Sequence, residues 1–270
     1  MSRVALVPLL AVLGVLAGVT AISAQSRVER VSAADSPTAA EDPPAPTVPA
    51  TAGEVASPAE RSRQALARRR ARPRGIVRLR GPLALRSRPR GPVVSSLAAT
   101  TEFGSAGVAA VAAHEGKWLG LVTTARPNNK LGWVRRDDPA VGLRRVAYSL
   151  HADLSDRRLV LRRRGRVVKR LSVAVGRPGS STPTGRFAIT DKLSGARYGS
   201  YYGCCILALS GTQPNLPPGW TGGNRLAIHG TNDAGSIGLP SSAGCLRAGD
   251  ADLQVLMRRV PLGTPVFIRS

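Results

Sequence analysis

From residue 76 onward the chain consists of short stretches in which apolar and polar residues alternate, with turn residues between them. Alternation with a period of two predicts strands that bury one face and expose the other. In the first part of this region the pattern predicts strands at 76–79, 82–85, 107–113, 117–123 and 132–135, with a turn at 127–130. This is enough chain for a small β-barrel module over residues 76–140.

Two tryptophans characterise this module. The segments 116–119 (GKWL) and 132–134 (GWV), separated by the turn, resemble bacterial Src-homology-3-like modules. We expect Trp118 and Trp133 in the core rather than on a ligand platform, because aromatic side chains bury large areas. His114 is expected to be a surface or structural histidine.

A second alternating region follows residue 146. Residues 158–162 and 167–175 are joined by Arg164-Gly165-Arg166, and two strands connected by a tight glycine-containing turn predict a hairpin. One helix is predicted, with Asp250 as its N-cap and Pro261 at its end. Its apolar positions are Leu253, Leu256, Met257 and Val260. Further strands are predicted at 148–154, 187–189, 204–209, 225–229 and 265–268. Region 146–270 is therefore expected to be mainly β with one short helix.

The first 25 residues have the composition of an export segment. Arg3 is followed by an uncharged stretch over 4–22, and small residues surround position 23. This pattern predicts a signal peptide, although 19 apolar residues are also long enough for an uncleaved membrane anchor. We expect an exported protein of the cell wall or periplasm, and the choice between cleavage and anchoring stays open.

Residues 26–75 lack periodic apolar positions and predict a disordered linker. The part over 36–58 is rich in Pro, Ala and Thr, and 61–74 contains seven arginines in fourteen residues, within a chain of net charge +23. Such a run could bind the phosphates of nucleic acid, but an exported protein rarely meets nucleic acid. An anionic membrane surface or wall polymer is therefore the expected partner. A basic linker that is merely solvated fits equally well.

The chain has three cysteines and three histidines, too few for a disulfide framework or a multi-histidine metal cage. Cys204 and Cys205 are adjacent, so a bond between them would be strained, and we expect packed strand thiols, one on each face of a sheet. No bridge to Cys245 is expected either.

The segment with the most chemical content runs from His229 to Arg247. A cysteine attacks carbonyl carbon as its thiolate, and a nearby imidazole can take the thiol proton and return it to a leaving amine. Gly244, just before Cys245, permits a tight turn that would aim successive backbone N–H groups at one oxyanion. Arg247 could keep the surrounding field positive or bind a substrate carboxylate.

The motifs around these residues resemble the L,D-transpeptidase (YkuD-type) catalytic domain. They are 229–232 (HGTN), 236–238 (SIG) and Ser242-x-Gly244-Cys245-x-Arg247, preceded in the family order by 153–155, Gly176, 182–187 and 198–199. The resemblance covers about residues 146–270 and implies a β-sandwich or barrel. It also implies that Cys245 cleaves the bond before D-alanine in peptidoglycan stem peptides, and that a stem amine then forms a 3→3 cross-link.

The resemblance also assigns roles to residues. Cys245 is the nucleophile, His229 the base, Gly244 part of the oxyanion turn, and Ser242 a support for the turn or the histidine. Arg247 and Gly230, with three tyrosines of the expected substrate lid, would bind substrate. Those tyrosines are Tyr198, Tyr201 and Tyr202. The family orients its histidine with a backbone carbonyl, so Asp233 is expected to be a solvated loop carboxylate. No cofactor or metal is implied, and we expect a monomer.

The chain departs from the family at one position, where Ala243 replaces a second histidine. This leaves His229 as the only imidazole of the motif. Three alternatives stay open: a non-catalytic wall-binding protein, an L,D-carboxypeptidase that uses water as acceptor, and an enzyme that joins the acyl group to a protein lysine.

Overall fold

Two large β-sheets account for most of the structure, a computed structural model that describes residues 57–59, 62 and 74–270. Residues 55–270 form one compact unit. The predicted export segment 1–25 and most of the predicted linker 26–75 lie outside the described residues. Within the described part, no helix has the length and apolar character needed to cross a membrane.

The upstream sheet has seven strands in the order β3-β2-β6-β5-β4-β1-β7. The strands are β1 (Arg74–Leu79), β2 (Leu83–Arg86), β3 (Val93–Leu97), β4 (Val108–Glu115), β5 (Trp118–Val122), β6 (Gly132–Arg135) and β7 (Val141–Val146). Five of them confirm predicted strands. The other two, β3 and β7, were missed because they do not alternate cleanly: Val93 and Val94 are both exposed on β3.

The expectation that both tryptophans belong to the core is wrong. The core of this sheet consists of aliphatic side chains such as Val77, Leu85 and Leu121, whereas Trp118 and Trp133 are only half-buried. The guanidinium carbon of Arg86 lies 6.0 Å from the centroid of the Trp118 ring, a cation–π contact between β2 and β5. His114 is exposed, as expected.

The C-terminal sheet has eight strands in the order β10-β9-β8-β17-β12-β13-β14-β16, beside a short parallel pair of β11 and β15. The strands are β8 (Tyr148–Asp153), β9 (Arg158–Arg163), β10 (Arg166–Ser172), β11 (Val175–Gly176), β12 (Gly185–Ser194), β13 (Cys205–Thr212), β14 (Arg225–His229), β15 (Pro240–Ser242), β16 (Leu246–Arg247) and β17 (Pro265–Arg269). The mainly β prediction is confirmed, including the β9–β10 hairpin, whose turn places Arg164 and Gly165 at positive φ.

The single α-helix within residues 74–270 is α1 (Asp250–Arg259). Leu253 and Leu256 are fully buried, as the helical spacing predicts, and the helix ends just before Pro261. The predicted N-cap is wrong by one residue, because Gly249 is the cap and Asp250 is the first helical residue. The Asp250 carboxylate instead accepts a hydrogen bond from the backbone N–H of Cys204 at 3.0 Å.

The expectation of two separate strand thiols at 204 and 205 is also wrong. Cys204 and Cys205 form a disulfide with each other, and strand β13 begins only at Cys205. The half-buried Cys204 therefore belongs to the preceding loop, so the strand alternation that assigned it to a sheet face does not apply. Cys245 is free.

The two large sheets are joined by contacts that hold the upstream part against the C-terminal part. Ala110 and Val122 of the upstream sheet pack with Ala188 of β12. Asn128 in the turn after β5 forms two hydrogen bonds with the backbone of Thr212, at 2.7 and 3.0 Å. These contacts place the end of β13, and the loop after it, at a fixed distance from the upstream sheet.

Candidate active site

The site is built on the parallel pair of β14 and β16. Their register sets Ile228 opposite Leu246 and His229 opposite Arg247. Because side chains alternate along a strand, Ile228 and Leu246 enter the core, while Ala227 and His229 face the other side. Cys245 comes just before β16 and reaches that same side. The structure thus brings His229 and Cys245, sixteen positions apart, to the wall of one cavity of about 110 Å³.

His229 is fully buried, and its orientation is set by its own loop. Its Nδ1 lies 2.6 Å from the backbone oxygen of Gly230. A carbonyl oxygen can only accept, so Nδ1 carries the hydrogen and Nε2 presents a lone pair in the neutral ring. Nε2 has no hydrogen-bond partner among the described residues. Burial lowers the pKa of His229 to about 4, so the ring is a neutral acceptor at pH 7.

Cys245 is partly accessible, and its thiol is protonated in this state. Burial raises the pKa of the Cys245 thiol to about 11, and a hydrogen bond from the backbone of Ala227 and the nearby positive charge of Arg247 offset this only in part. Its Sγ lies 3.9 Å from the backbone oxygen of Arg225, which accepts the thiol hydrogen. No hydrogen bond joins Cys245 to His229 within the described part of the chain. The two groups line the same cavity.

The turn between β15 and β16 is held by Ser242. Its hydroxyl donates to the backbone oxygen of Cys245 at 2.6 Å and accepts from the backbone N–H of Gly244 at 3.0 Å. Ser242 therefore supports the turn and not the histidine. Gly244 has φ of +118°, a conformation that favours glycine. Because the Gly244 N–H is already bound to Ser242, it is not available to an oxyanion in this state, contrary to the expectation from sequence.

Two predicted substrate-binding residues do not line the cavity. Arg247 is buried, donates to the hydroxyl of Ser241 at 2.7 Å and places its guanidinium 5.8 Å from the centroid of the Tyr201 ring. Gly230 is packed so tightly that a Cβ there would lie 2.2 Å from the Asp250 carboxylate. Both therefore contribute indirectly, through residues that do line the cavity: Gly230 orients His229, and Arg247 supports Tyr201. Asp233 is exposed, as expected.

The three predicted tyrosines do line the cavity. The ring centroids of Tyr201 and Tyr202 lie 5.6 and 5.0 Å from that of His229, and Tyr198 makes an edge contact with Tyr202. Burial raises the pKa of both Tyr201 and Tyr202, so their hydroxyls stay protonated and can donate hydrogen bonds. Tyr198 is 43% exposed and forms the outer edge of this group.

Sequence reasoning missed several residues of the site. Gln213, after β13, is buried and donates through one amide nitrogen to the backbone oxygens of Ser180, Ser181 and Ala243, at 3.0–3.2 Å. It thereby secures the loop that carries Gly244. Trp220 stacks edge-on with Tyr201, and Phe103 reaches the cavity from the upstream sheet. None of these three belongs to a sequence motif, so only the folded arrangement reveals them.

A larger cavity, of about 360 Å³, lies between the two sheets. Its lining includes Arg126, Lys130 and Arg186 but no cysteine, no histidine and no predicted site residue. The chemistry described above is therefore confined to the smaller cavity.

Comparison with known proteins finds relatives of part of this chain. A Bacillus licheniformis protein named "Putative L,D-transpeptidase YkuD" is 34% identical over 125 residues, covering 46% of this chain and 66% of that protein. The protein of the same name from Bacillus subtilis is 33% identical with the same coverage. The chain thus spans just under two thirds of the length of these curated relatives. An L,D-transpeptidase structure from Mycobacterium smegmatis matches at 18% identity and a TM-score of 0.36, covering 52% of this chain and 73% of that one.

The family model YkuD, described as the L,D-transpeptidase catalytic domain, matches residues 147–268. This range contains β8 through most of β17, α1, and both His229 and Cys245. The resemblance noted in the sequence is confirmed. Residues 147–268 of this chain therefore match the YkuD family of L,D-transpeptidase catalytic domains.

Proposed function

We propose that the protein is a cysteine-dependent L,D-transpeptidase that forms 3→3 cross-links between peptidoglycan stem peptides. One observation carries the proposal: a buried, neutral His229 whose Nε2 has no hydrogen-bond partner among the described residues lines the same cavity as the chain's single free thiol, Cys245. Nucleophilic acyl transfer by a thiol needs a base of this kind within reach of the sulfur.

The reaction begins at the amide bond between the L-centre of the third stem residue and the following D-alanine. The Cys245 sulfur attacks the carbonyl carbon while its proton passes to His229 Nε2. The C–N bond then breaks, and the imidazolium returns the proton to the leaving D-alanine amine. A side-chain amine of a second stem attacks the thioester, its proton is taken by Nε2 and returned to sulfur, and a new amide bond remains.

The pKa values of the two groups favour a coupled proton transfer. A thiol with a pKa of about 11 and an imidazole with a pKa of about 4 do not form a stable ion pair before substrate binds. We therefore expect the proton to move as the sulfur attacks, after the thiol hydrogen leaves the backbone oxygen of Arg225. The backbone N–H of Cys245 is the candidate oxyanion donor, and one such donor contributes roughly 3 kcal/mol at well-formed sites.

The proposed location follows from the substrate. Peptidoglycan lies outside the cytoplasmic membrane, which agrees with the export segment predicted over residues 1–25. The arginine-rich part of the linker would then hold the catalytic part close to anionic wall polymer or to the membrane surface.

The proposal is tested by incubating the purified protein with tetrapeptide muropeptides and analysing the products by mass spectrometry. We expect wild type to release D-alanine and to form dimers that carry the 3→3 bond, and Cys245→Ala to do neither while keeping its circular dichroism spectrum. Release of D-alanine with tripeptide but no dimer would identify an L,D-carboxypeptidase instead. No release by wild type would refute the enzyme and favour a non-catalytic wall-binding protein, the candidate supported by Ala243 on the cavity wall.

A further inference from the structure

The active-site cavity is not made by the C-terminal part of the chain alone. Phe103 lies in the loop between β3 and β4 of the upstream sheet, outside the family match, and it lines the same cavity as His229 and Cys245. Its ring meets that of Tyr198 edge-on, with centroids 6.3 Å apart. The upstream sheet thus contributes an aromatic side chain to a site whose reactive groups lie elsewhere.

The residues next to Phe103 fix this loop to the C-terminal part. The hydroxyl of Thr101 donates to the carboxylate of Asp191, a fully buried residue of β12, at 2.5 Å. Glu102 forms an ion pair with Arg225, the residue whose backbone oxygen accepts the Cys245 thiol hydrogen. Two neighbouring side chains therefore anchor the loop to two different strands of the C-terminal sheet, β12 and β14. Each of these contacts orders a side chain at a cost in conformational entropy, so the loop is held in one position and is not a flexible surface loop.

The wall around Phe103 is apolar. Leu193 and Ile206 of the C-terminal sheet, and Leu216 of the loop after β13, line the cavity with it. No acidic residue and only one charged residue, Arg225, contribute to the lining. Surfaces of this kind bind aliphatic groups by removing them from water, and they discriminate by size.

We infer that Phe103 is a specificity-determining residue, and that the upstream sheet completes an apolar subsite for a short aliphatic portion of the acyl donor. Glu102 and Thr101 are positioning residues, because they hold the loop and do not line the cavity. The identity of the acyl donor rests on the proposed function. The apolar wall formed by Phe103 and its neighbours is independent of that function. The upstream module is then part of the active site rather than a separate binding module.

The wall is tested by alkylation of Cys245, the only free thiol, with a small reagent, iodoacetamide, and a bulky apolar one, N-phenylmaleimide. Phe103→Ala widens the cavity. We therefore expect the rate constant for the bulky reagent, divided by that for the small reagent, to rise roughly tenfold. Phe103→Leu and Glu102→Gln should move the ratio less. The matched control is Val94→Ala, at a 42% exposed position of the same sheet that does not line the cavity. An unchanged ratio in Phe103→Ala, with an unchanged melting temperature, would overturn the inference.

The substrate part is tested separately with muropeptides. We expect Phe103→Ala to raise KM for the tetrapeptide donor with a smaller change in kcat, because the residue binds the donor and takes no part in proton transfer. Equal KM values for the variant and wild type would refute the donor subsite. If wild type releases no D-alanine, the proposed function fails, and the alkylation ratio still decides whether Phe103 forms the wall.

Discussion

The upstream and C-terminal sheets show the same alternation of apolar and polar residues, but they differ in the types of side chain that they bury. The upstream core consists of aliphatic side chains only. Of the buried polar residues in the described part of the chain, all except Thr123 belong to the C-terminal part. They include His229, Ser242, Arg247 and Gln213, which surround or support the cavity.

The difference shows which part of the fold contains buried polar groups that lower its stability. A buried polar group destabilises the folded state unless it is hydrogen-bonded. Ser242 and Gln213 are fully engaged, and they hold the turn that carries Cys245. His229 Nε2 and Arg247 Nε, by contrast, are buried without partners within the described residues. Departures of this kind from ordinary folding rules are expected at functional sites.

The largest effect is expected from removing the buried base. His229→Gln keeps a polar side chain but removes the imidazole that is proposed to accept the thiol proton. We expect the rate of D-alanine release to fall about 1000-fold, equivalent to roughly 4 kcal/mol of transition-state stabilisation. The matched control is His114→Gln, the exposed histidine of the upstream sheet, which should leave the rate unchanged. Similar rates in the two variants would contradict the assignment of His229 as the base.

The same residue should make stability depend on pH. Folding lowers the pKa of His229 from 6.5 to about 4, so between these values the unfolded chain binds a proton that the folded chain does not. The free energy of unfolding should therefore fall as pH drops through this window, by up to about 3 kcal/mol. Urea unfolding at pH 7 and pH 4 measures this change. His229→Gln should lose this component, whereas His114→Gln should retain it, and parallel pH dependence in both would show that His229 is not the cause.

The sequence predicts those features of the fold and the site that depend on residues close together in the chain. Strand alternation and the 3.6-residue spacing are local, so most strands and α1 were predicted. The motif also singled out His229 and Cys245, which the fold brings to one cavity. The disulfide between Cys204 and Cys205 was not predicted, because a bond between adjacent cysteines was expected to be strained. Gln213 and Phe103 were missed for a different reason. Each acts through contacts with residues 30 or more positions away, and their local patterns carry no chemical signal.

Gln213 tests whether the polar residues around the cavity are structural supports. Gln213→Ala leaves three backbone oxygens, the buried one of Ser180 and the partly buried ones of Ser181 and Ala243, without this donor. We expect a loss of about 2 kcal/mol in the free energy of unfolding and a reduced rate of Cys245 acylation, since the loop before Gly244 is released. Gln254→Ala, on the exposed face of α1, is the control. A Gln213 variant as stable as this control would show that the loop does not depend on the amide.

The smallest effect is expected at Trp118 of the upstream sheet, which does not line the cavity and contributes packing only. Trp118→Leu removes the contact with Arg86 and should cost about 1 kcal/mol of unfolding free energy, because the ring is only half-buried. The rate of D-alanine release should not change. Trp220→Leu, which alters the cavity wall, should do the reverse and lower that rate more than it lowers stability. If Trp118→Leu impaired catalysis as strongly as Trp220→Leu, the contrast would fail, because the upstream sheet would then influence the cavity through more of its residues than the loop that carries Phe103.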